Sequence, residues 1–233
     1  MLPILILAGG LGTRLGDLTQ KCPKALMEAA GEPFICHQLR LLKRNDLRKV
    51  IICAGYLGGQ IEEAVGSGQK FGLDISYSYD YPRLLGTGGA VRQAARNLAG
   101  PFLVTYGDSY LDIDYQAVIQ AFNASPCPAL MAVYRNDGLF DRSNVIYDQG
   151  KLLLYDKKNP DPAMNYIDYG LSCLDHDIIM GAPQEDVFDL ADLMSDLSRQ
   201  GRLAGFLAFK RFYEIGSPQS LAEFDHFLRS KHN

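Results

Sequence analysis

The stretch "ILILAGGLGTRLGDLTQKCPKAL", Ile4 to Leu26, decides how the chain is read. A short, unbroken apolar run, Leu2–Ala8, ends in two adjacent glycines, as expected of a parallel strand covered on both faces. Gly9, Gly10 and Gly12 let backbone N–H groups approach an anion closely. Arg14 follows the turn, and Lys24 stands behind Pro23, ten residues further on. Two cations at the rim of a glycine turn suit the several charges of a triphosphate. An exposed turn with solvated basic side chains is the plain alternative. The spacing excludes two familiar loops. A G-x-G-x-x-G fingerprint starting at Gly10 would need glycine where Leu15 stands. A G-x-x-x-x-G-K loop would need a Gly-Lys pair here, and the one in the chain is Gly150-Lys151.

Outward from this stretch, strand and helix patterns alternate. Pro33–Asn45 predicts a helix with Ile35, Leu39 and Leu42 on one face and Pro33 in its first turn. Arg48–Gly55 reads as a strand, Tyr56–Gly68 as a helix, and Leu73–Tyr79 as a strand rich in β-formers. Thr87–Ala99 predicts a helix behind a glycine loop, and Pro101–Ser109 a strand ending in a carboxylate. Strands separated by helix-length segments imply βαβ crossovers and a mostly parallel sheet. Further on, "ALMAVYR", "SNVIYD", "KLLLYDKK" and "YIDYGLSCLD" read as strands with short connections, which implies antiparallel additions. Val187–Gly201 is amphipathic and ends on glycine, and "SLAEFDHFLRS" predicts a C-terminal helix. The fold class is therefore α/β, with a Rossmann-like, mostly parallel mixed sheet flanked by helices.

Composition narrows the function. The 233 residues are 47% apolar and 21% charged, enough to bury a real core. A net charge of −4 without a long basic run argues against nucleic acid as the partner. No window reaches the roughly 18 apolar residues a membrane helix needs, and the N-terminal run is too short for a leader. Cys22, Cys36, Cys53, Cys127 and Cys173 are scattered and form no C-x-x-C pair, so free thiols in a reducing cytoplasm are expected.

The motif "LAGGLGTRL…T…PKAL" resembles the signature loop of the sugar-1-phosphate nucleotidyltransferases: G-G-x-G-T-R-L, a threonine (here Thr19), then P-K. Ala25 stands where many members have proline. The likeness continues in order along the chain. "LLGTGGA" (Leu84–Ala90) is similar to a family loop lying against the nucleotide base, and "VTYGDS" to the strand-ending G-D whose aspartate holds magnesium. "LLYDKKNP" stands in the place of E-K-P, "YIDYGLS" in that of I-N-A-G-I-Y, and "RFYEIGSPQSL" in that of F-x-D-I-G-x-P-x-x-L.

The resemblance implies a nucleotide-diphospho-sugar transferase (GT-A-like) fold in one domain over residues 1–233. Its nucleotide-binding half would run over about 1–125 and its sugar-phosphate-binding half over about 126–233. It implies catalytic roles for Arg14 and Lys24. Nucleotide contacts would come from Leu7, Ala8, Gly9, Gly10, Gly12, Thr13, Leu85, Gly86, Thr87, Gly88 and Gly107. Asp108 and Glu214 would hold Mg²⁺, and Lys157, Asp168 and Gly170 the sugar phosphate. Two departures stand out: Asp168 replaces an asparagine and Glu214 an aspartate. The first exchanges an amide for a pure acceptor; the second keeps the oxygen donors that magnesium requires.

The implied reaction transfers a nucleotidyl group from a nucleoside triphosphate to a sugar 1-phosphate and releases pyrophosphate. The product would be an activated sugar for cell-surface glycans such as lipopolysaccharide or capsule. The short chain resembles the stand-alone heptose 1-phosphate guanylyltransferases and muramate 1-phosphate uridylyltransferases, with the lean toward GDP-heptose. Partners would be the two small substrates, with neither nucleic acid nor membrane; a homodimer is left open. A binding module without turnover, and a transferase acting on phosphocholine or another non-sugar phosphate, are the alternatives. Individual residues have plainer alternatives too. Asp108 could cap the following helix, though Asp114 is better placed. Asp112 reads as a loop carboxylate, Lys158 competes with Lys157, and Tyr77, Tyr79 and Tyr81 alternate on one sheet face.

Overall fold

The computed structural model describes residues 2–10, 22–55, 57–80, 82–182 and 185–231. In chain order the strands are β1 (Ile4–Leu7), β2 (Glu28–Ala29), β3 (Glu32–Pro33), β4 (Lys49–Ala54), β5 (Asp74–Tyr79), β6 (Phe102–Tyr106) and β7 (Ser109–Leu111). They continue with β8 (Ala129–Arg135), β9 (Val145–Asp148), β10 (Lys151–Tyr155), β11 (Tyr166–Leu174), β12 (Leu203–Ala208) and β13 (Phe212–Glu214). The helices are α1 (Phe34–Arg44), α2 (Gly58–Val65), α3 (Gly86–Ala95), α4 (Tyr115–Ala124), α5 (His176–Met180), α6 (Leu190–Arg199) and α7 (Pro218–Ser230). The architecture is α/β, as the alternation of patterns predicts. Two compact units form. One comprises Met1–Leu84, Thr105–Tyr110 and Phe212–Asn233, the other Leu85–Val104 and Leu111–Arg211.

The first unit is built on parallel strands. β1 pairs with β4 in the register Ile4 opposite Val50, and β4 pairs with β5. Ile4, Leu5, Ile6, Val50 and Ile52 are fully buried, which is why these runs carry no alternation. α1 buries Ile35, Leu39 and Leu42 as predicted, and Gln38 sits within the same stripe. α7 begins with a capping box between Ser217 and Ser220, with Pro218 in its first turn. Its Phe224 ring packs 5.0 Å from Phe34 and 5.1 Å from Tyr110. The sequence pattern did not predict the small β2–β3 hairpin. Its turn places Ala30 at φ 50° and Gly31 at φ 84°, and alanine gives no signal for that conformation. The Ala30 N–H is held by Asp225 Oδ1 at 2.7 Å.

The second unit holds the antiparallel ladders expected of the later chain. β11 pairs antiparallel with β8, β10 antiparallel with β9, and β12 parallel with β8. The β11–β8 register shifts between Asp168 and Ser172, where Gly170 adopts φ 92°. A bulge with glycine at positive φ bends the strand and re-aims its side chains. α6 buries Leu190, Met194 and Leu197, and its N-cap Asp189 accepts from the Ala191 N–H. Asp114 caps α4, as expected, by accepting from the Ala117 N–H at 3.0 Å. Among the described residues, no helix is long and apolar enough to cross a membrane.

Candidate active site

In the first unit, β1 and β4 end side by side at glycines. The Ala8 N–H donates to the Cys53 carbonyl at 2.9 Å, and a Cβ on Gly9 would lie 3.0 Å from the Gly55 nitrogen. Gly10 is exposed, with no described atom within 4 Å of where its Cβ would be. The crevice outside the carboxyl ends of parallel strands is where α/β sheets bind ligands. β6 ends at the same level. The Gly107 N–H donates to the Leu7 carbonyl at 2.9 Å, and a Cβ at Gly107 would meet the Ala8 Cβ at 2.9 Å. Glycine is required there by the close approach of two backbones.

Asp108 follows directly. Its carbonyl accepts the Ile215 N–H at 3.0 Å, which seats it beside the end of β13, where Glu214 is exposed. Lys24 opens a short 3₁₀ turn, Lys24–Leu26, behind Pro23. Its Nζ lies 2.5 Å from Asp108 Oδ2, with the two side chains 19% and 34% exposed. A Cβ on Gly216 would be 3.8 Å from the same Nζ. Lys24, Asp108, Gly107, Leu7 and Ala8 are thus brought together in this unit, with Glu214 one residue before the Ile215 that bonds Asp108. Gly12, Thr13 and Arg14 lie outside the described residues. Among the described residues, no group of three or more His, Cys, Asp or Glu side chains is arranged to hold a metal. Two carboxylates nonetheless fit Mg²⁺, which keeps several waters and takes its other oxygens from phosphate.

The second unit holds the remaining predicted residues in two places. The loop that opens α3 is packed against the lead-in to α6. The Gly88 N–H donates to the Phe188 carbonyl at 3.0 Å, and the Phe188 N–H to the Leu85 carbonyl at 3.1 Å. A Cβ on Gly86, Gly88 or Gly89 would come within 2.2–2.5 Å of Phe188 or Asp186. The Thr87 hydroxyl donates to Asp189 Oδ1 at 2.6 Å and accepts the Leu190 N–H at 2.8 Å. Sequence reasoning assigned Leu85, Gly86, Thr87 and Gly88 to the nucleotide; the structure gives each of them a partner on the 185–190 segment. That partner, Phe188, was missed because nothing in its own stretch of sequence points back to a glycine loop a hundred residues earlier.

The other set surrounds the β11 bulge. The Gly170 N–H donates to Asp168 Oδ1 at 2.9 Å, and the Asp168 N–H donates to Asn144 Oδ1 at 2.9 Å. Burial pushes the Asp168 carboxyl up to about 6, against the opposing pull of the Gly170 N–H and the Lys157 ammonium. Lys157 is exposed, whereas its neighbour Lys158 is bound to Asp192 at 2.5 Å. The loop carrying both lysines is anchored by buried Asp156, which sequence reasoning also missed. Its carboxylate accepts the N–H groups of Lys158 at 2.9 Å and Asn159 at 2.8 Å and pairs with Arg199 of α6. These hydrogen bonds, with the Arg199 charge, hold Asp156 below the usual carboxylate range. Asp112 pairs with Lys210 at 3.5 Å.

Other candidate groups are occupied or inert. The Tyr77 and Tyr79 rings stack at 6.3 Å, with their hydroxyls on the Gly66 carbonyl and Glu62; Tyr81 lies outside the described residues. Burial pushes the Cys53 and Cys173 thiols up to about 12, far from a nucleophile's range.

The nucleotidyl transferase family profile matches residues 4–231. The chain is 41% identical over 123 residues to an N-acetylmuramate alpha-1-phosphate uridylyltransferase of Neisseria meningitidis, covering 52% of this chain and 53% of that protein. It thus spans about half the length of that relative. It is 26% identical over 225 residues to a D-glycero-alpha-D-manno-heptose 1-phosphate guanylyltransferase of Campylobacter jejuni, covering 96% of this chain and 97% of that protein. The crystal structure of HddC from Yersinia pseudotuberculosis complexed with GMP-PN superposes with a TM-score of 0.81 at 23% identity, over 98% of this chain and 100% of that one, a likeness of fold. With that fold and a match over nearly its whole length, the chain belongs to the nucleotidyl transferase family.

Proposed function

We propose that this chain catalyses Mg²⁺-dependent transfer of a nucleotidyl group from a nucleoside triphosphate to a sugar 1-phosphate. The observation that carries the reading is the Lys24–Asp108 contact of 2.5 Å at the carboxyl end of the β1 and β6 strands, beside the Gly9–Gly10 turn. A phosphate oxygen of the sugar 1-phosphate attacks the α-phosphorus. The new P–O bond forms as the bond to the β-phosphate bridging oxygen breaks, and pyrophosphate leaves. Both substrates are anions, so positioning and charge neutralisation carry most of the catalysis. Lys24 exchanges the Asp108 carboxylate for an α-phosphate oxygen, one anion for another, so its ammonium is never left uncompensated. Arg14 clamps the β- and γ-phosphates. Asp108 and Glu214 would hold Mg²⁺, which when bound neutralises phosphate oxygens. Lys157 pairs with the phosphate of the sugar 1-phosphate and Asp168 accepts from a sugar hydroxyl, with the Gly170 bulge fixing the carboxylate.

For substrates, a guanylyl group and a heptose 1-phosphate are the first pair to test. The Campylobacter relative aligned over 97% of its length supports this pair, and the Neisseria relative supports UTP with a muramate 1-phosphate as the rival. The product would serve cell-surface glycan synthesis from the cytoplasm. The test is pyrophosphate release with Mg²⁺, using four nucleoside triphosphates against heptose, hexose, N-acetylhexosamine and muramate 1-phosphates. Release with one pair is expected. If no pair releases pyrophosphate while a nucleotide still raises the melting temperature, the chain is a binding module.

A further inference from the structure

Gln38 is 1% exposed, in the second turn of α1 within an otherwise apolar stripe, one residue before Leu39. Its Nε2 donates to two carbonyls: Tyr106 at 2.8 Å and Ser109 at 2.9 Å. Those carbonyls flank the Gly107–Asp108 corner. Both partners can only accept, so the atom facing them must be the nitrogen of the amide. The amide's Oε1 is buried and accepts no hydrogen bond from the described residues. A buried acceptor without a donor is destabilising, and an apolar side chain of equal length would avoid that cost. The gain must therefore lie in the two donated bonds.

Those bonds complete the fixing of the corner. The Gly107 N–H is held by Leu7, the Asp108 carbonyl by Ile215, and the flanking Tyr106 and Ser109 carbonyls by Gln38. Two of these four bonds come from backbone, on β1 and just after β13; the other two come from Gln38, the side chain that ties the corner to α1. Resting on the reading of Asp108 given above, we propose that Gln38 is a positioning residue. It locks the backbone on both sides of Asp108 so that the carboxylate is presented in one orientation to Lys24 and to a divalent cation. A loosely held carboxylate would spread over several rotamers and lose the geometry that an octahedral cation demands.

The test uses the full chain with Gln38→Met, which keeps length and apolar volume but has no N–H. Amide hydrogen exchange is followed for residues 107–109, and Mn²⁺ binding is followed by electron paramagnetic resonance. Pyrophosphate release is measured with Asp108→Asn as the companion variant. The expected result is at least tenfold faster exchange at 107–109 with the rest of the sheet unchanged. Mn²⁺ binding should weaken about tenfold, and kcat should fall more than the KM for the nucleotide changes. Wild-type exchange, Mn²⁺ affinity and kcat in Gln38→Met, with Asp108→Asn inactive, would overturn the proposal alone. Full activity in Asp108→Asn would overturn the reading of Asp108 and the proposal with it. Should Gln38→Met fail to fold, Gln38→Leu repeats the exchange measurement with a different shape, and unchanged protection there also overturns it.

Discussion

The turn at Gly9–Gly10 and the loop at Leu85–Gly89 carry similar sequence, glycines beside a strand end or a helix start, but their neighbours differ. Gly10 has no described atom within 4 Å of where a side chain would be. Gly86, Gly88 and Gly89 are filled by Phe188 and Asp186, and the first helical N–H groups of α3 are already spent on the Phe188 carbonyl. The carboxylates diverge in the same way. Asp108, in the first unit, is part-exposed and paired with Lys24, whereas Asp168, in the second, is pushed upward by burial. A glycine is thus selected either for a ligand's approach or for the chain's own close packing, and a single sequence does not separate the two. Charge behaves similarly: an aspartate at a strand end is the same letter whether it faces a partner or is stripped of water.

The largest expected effect tests the first region. Lys24→Ala should lower kcat by roughly 10²–10³-fold, the order found when a charge-stabilising donor is removed from a transition state. The melting temperature should move by only a few degrees, because the pair is part-exposed. Steady-state pyrophosphate release and calorimetry check both halves. A rate near that of the unmutated chain would remove Lys24 from the chemistry.

The next effect tests the second region. Gly89→Ala would place a Cβ 2.3 Å from the Asp186 carbonyl oxygen and 2.7 Å from the Leu85 Cβ. Backbone on one side cannot give way as a flexible side chain would. The overpacking should cost roughly 1–2 kcal/mol net, once the roughly 1 kcal/mol better helix propensity of alanine is counted. Urea unfolding at constant m-value reads this directly; a variant as stable as the parent would mean that the 185–190 segment yields easily and the loop is free to serve a ligand.

Asp168→Asn comes third and turns on pH. The carboxyl ionises near 3.8 in an ordinary setting and near 6 in the fold. Because the folded value is the higher, the proton binds the folded state more tightly. The stabilisation this gives is full below about pH 4 and is lost as pH rises through 6. Asparagine is neutral throughout and can still accept the Gly170 N–H. The variant should therefore be more stable than the parent at pH 8, by about 1–2 kcal/mol, and lose that advantage by pH 4. Unfolding midpoints at the two pH values check the sign; a gap that widened toward acid would refute the burial account.

What was legible in the sequence followed from local pattern. The β1 run, the α1 stripe and the Asp114 cap are each set by neighbours within a few residues, and the structure has them where the pattern predicts. The Leu7–Leu26 motif drew attention to Lys24, and the "VTYGDS" stretch to Asp108, through their resemblance to one family's signature. What was not legible depends on distant partners. Phe188 meets Gly88 across a hundred residues, and Asp156 meets Arg199 across 43. Gln38 did leave a trace: a polar residue three after Ile35 and one before Leu39 interrupts an apolar stripe. The stripe gives its burial but not its partners, and only the register of α1 against the Gly107–Asp108 corner supplies those.

The smallest effect on stability is the sharpest test of the opening contrast. Gly10 is exposed, has no positive φ, and has no described atom within 4 Å of its would-be Cβ. Gly10→Ala should therefore change stability by no more than about 0.5 kcal/mol, as a surface substitution does. If the turn exists to let backbone N–H groups reach a phosphate, the added methyl intrudes on the ligand rather than on the protein. Nucleoside triphosphate affinity, read by calorimetry with Mg²⁺ present, should then fall about tenfold, or about 1.4 kcal/mol. The two numbers must separate for the argument to hold. A loss of stability comparable to that of Gly89→Ala would make Gly10 a packing glycine like those of the second loop. An unchanged affinity would mean that the triphosphate does not sit beside Gly10, and that the cations of this stretch act elsewhere.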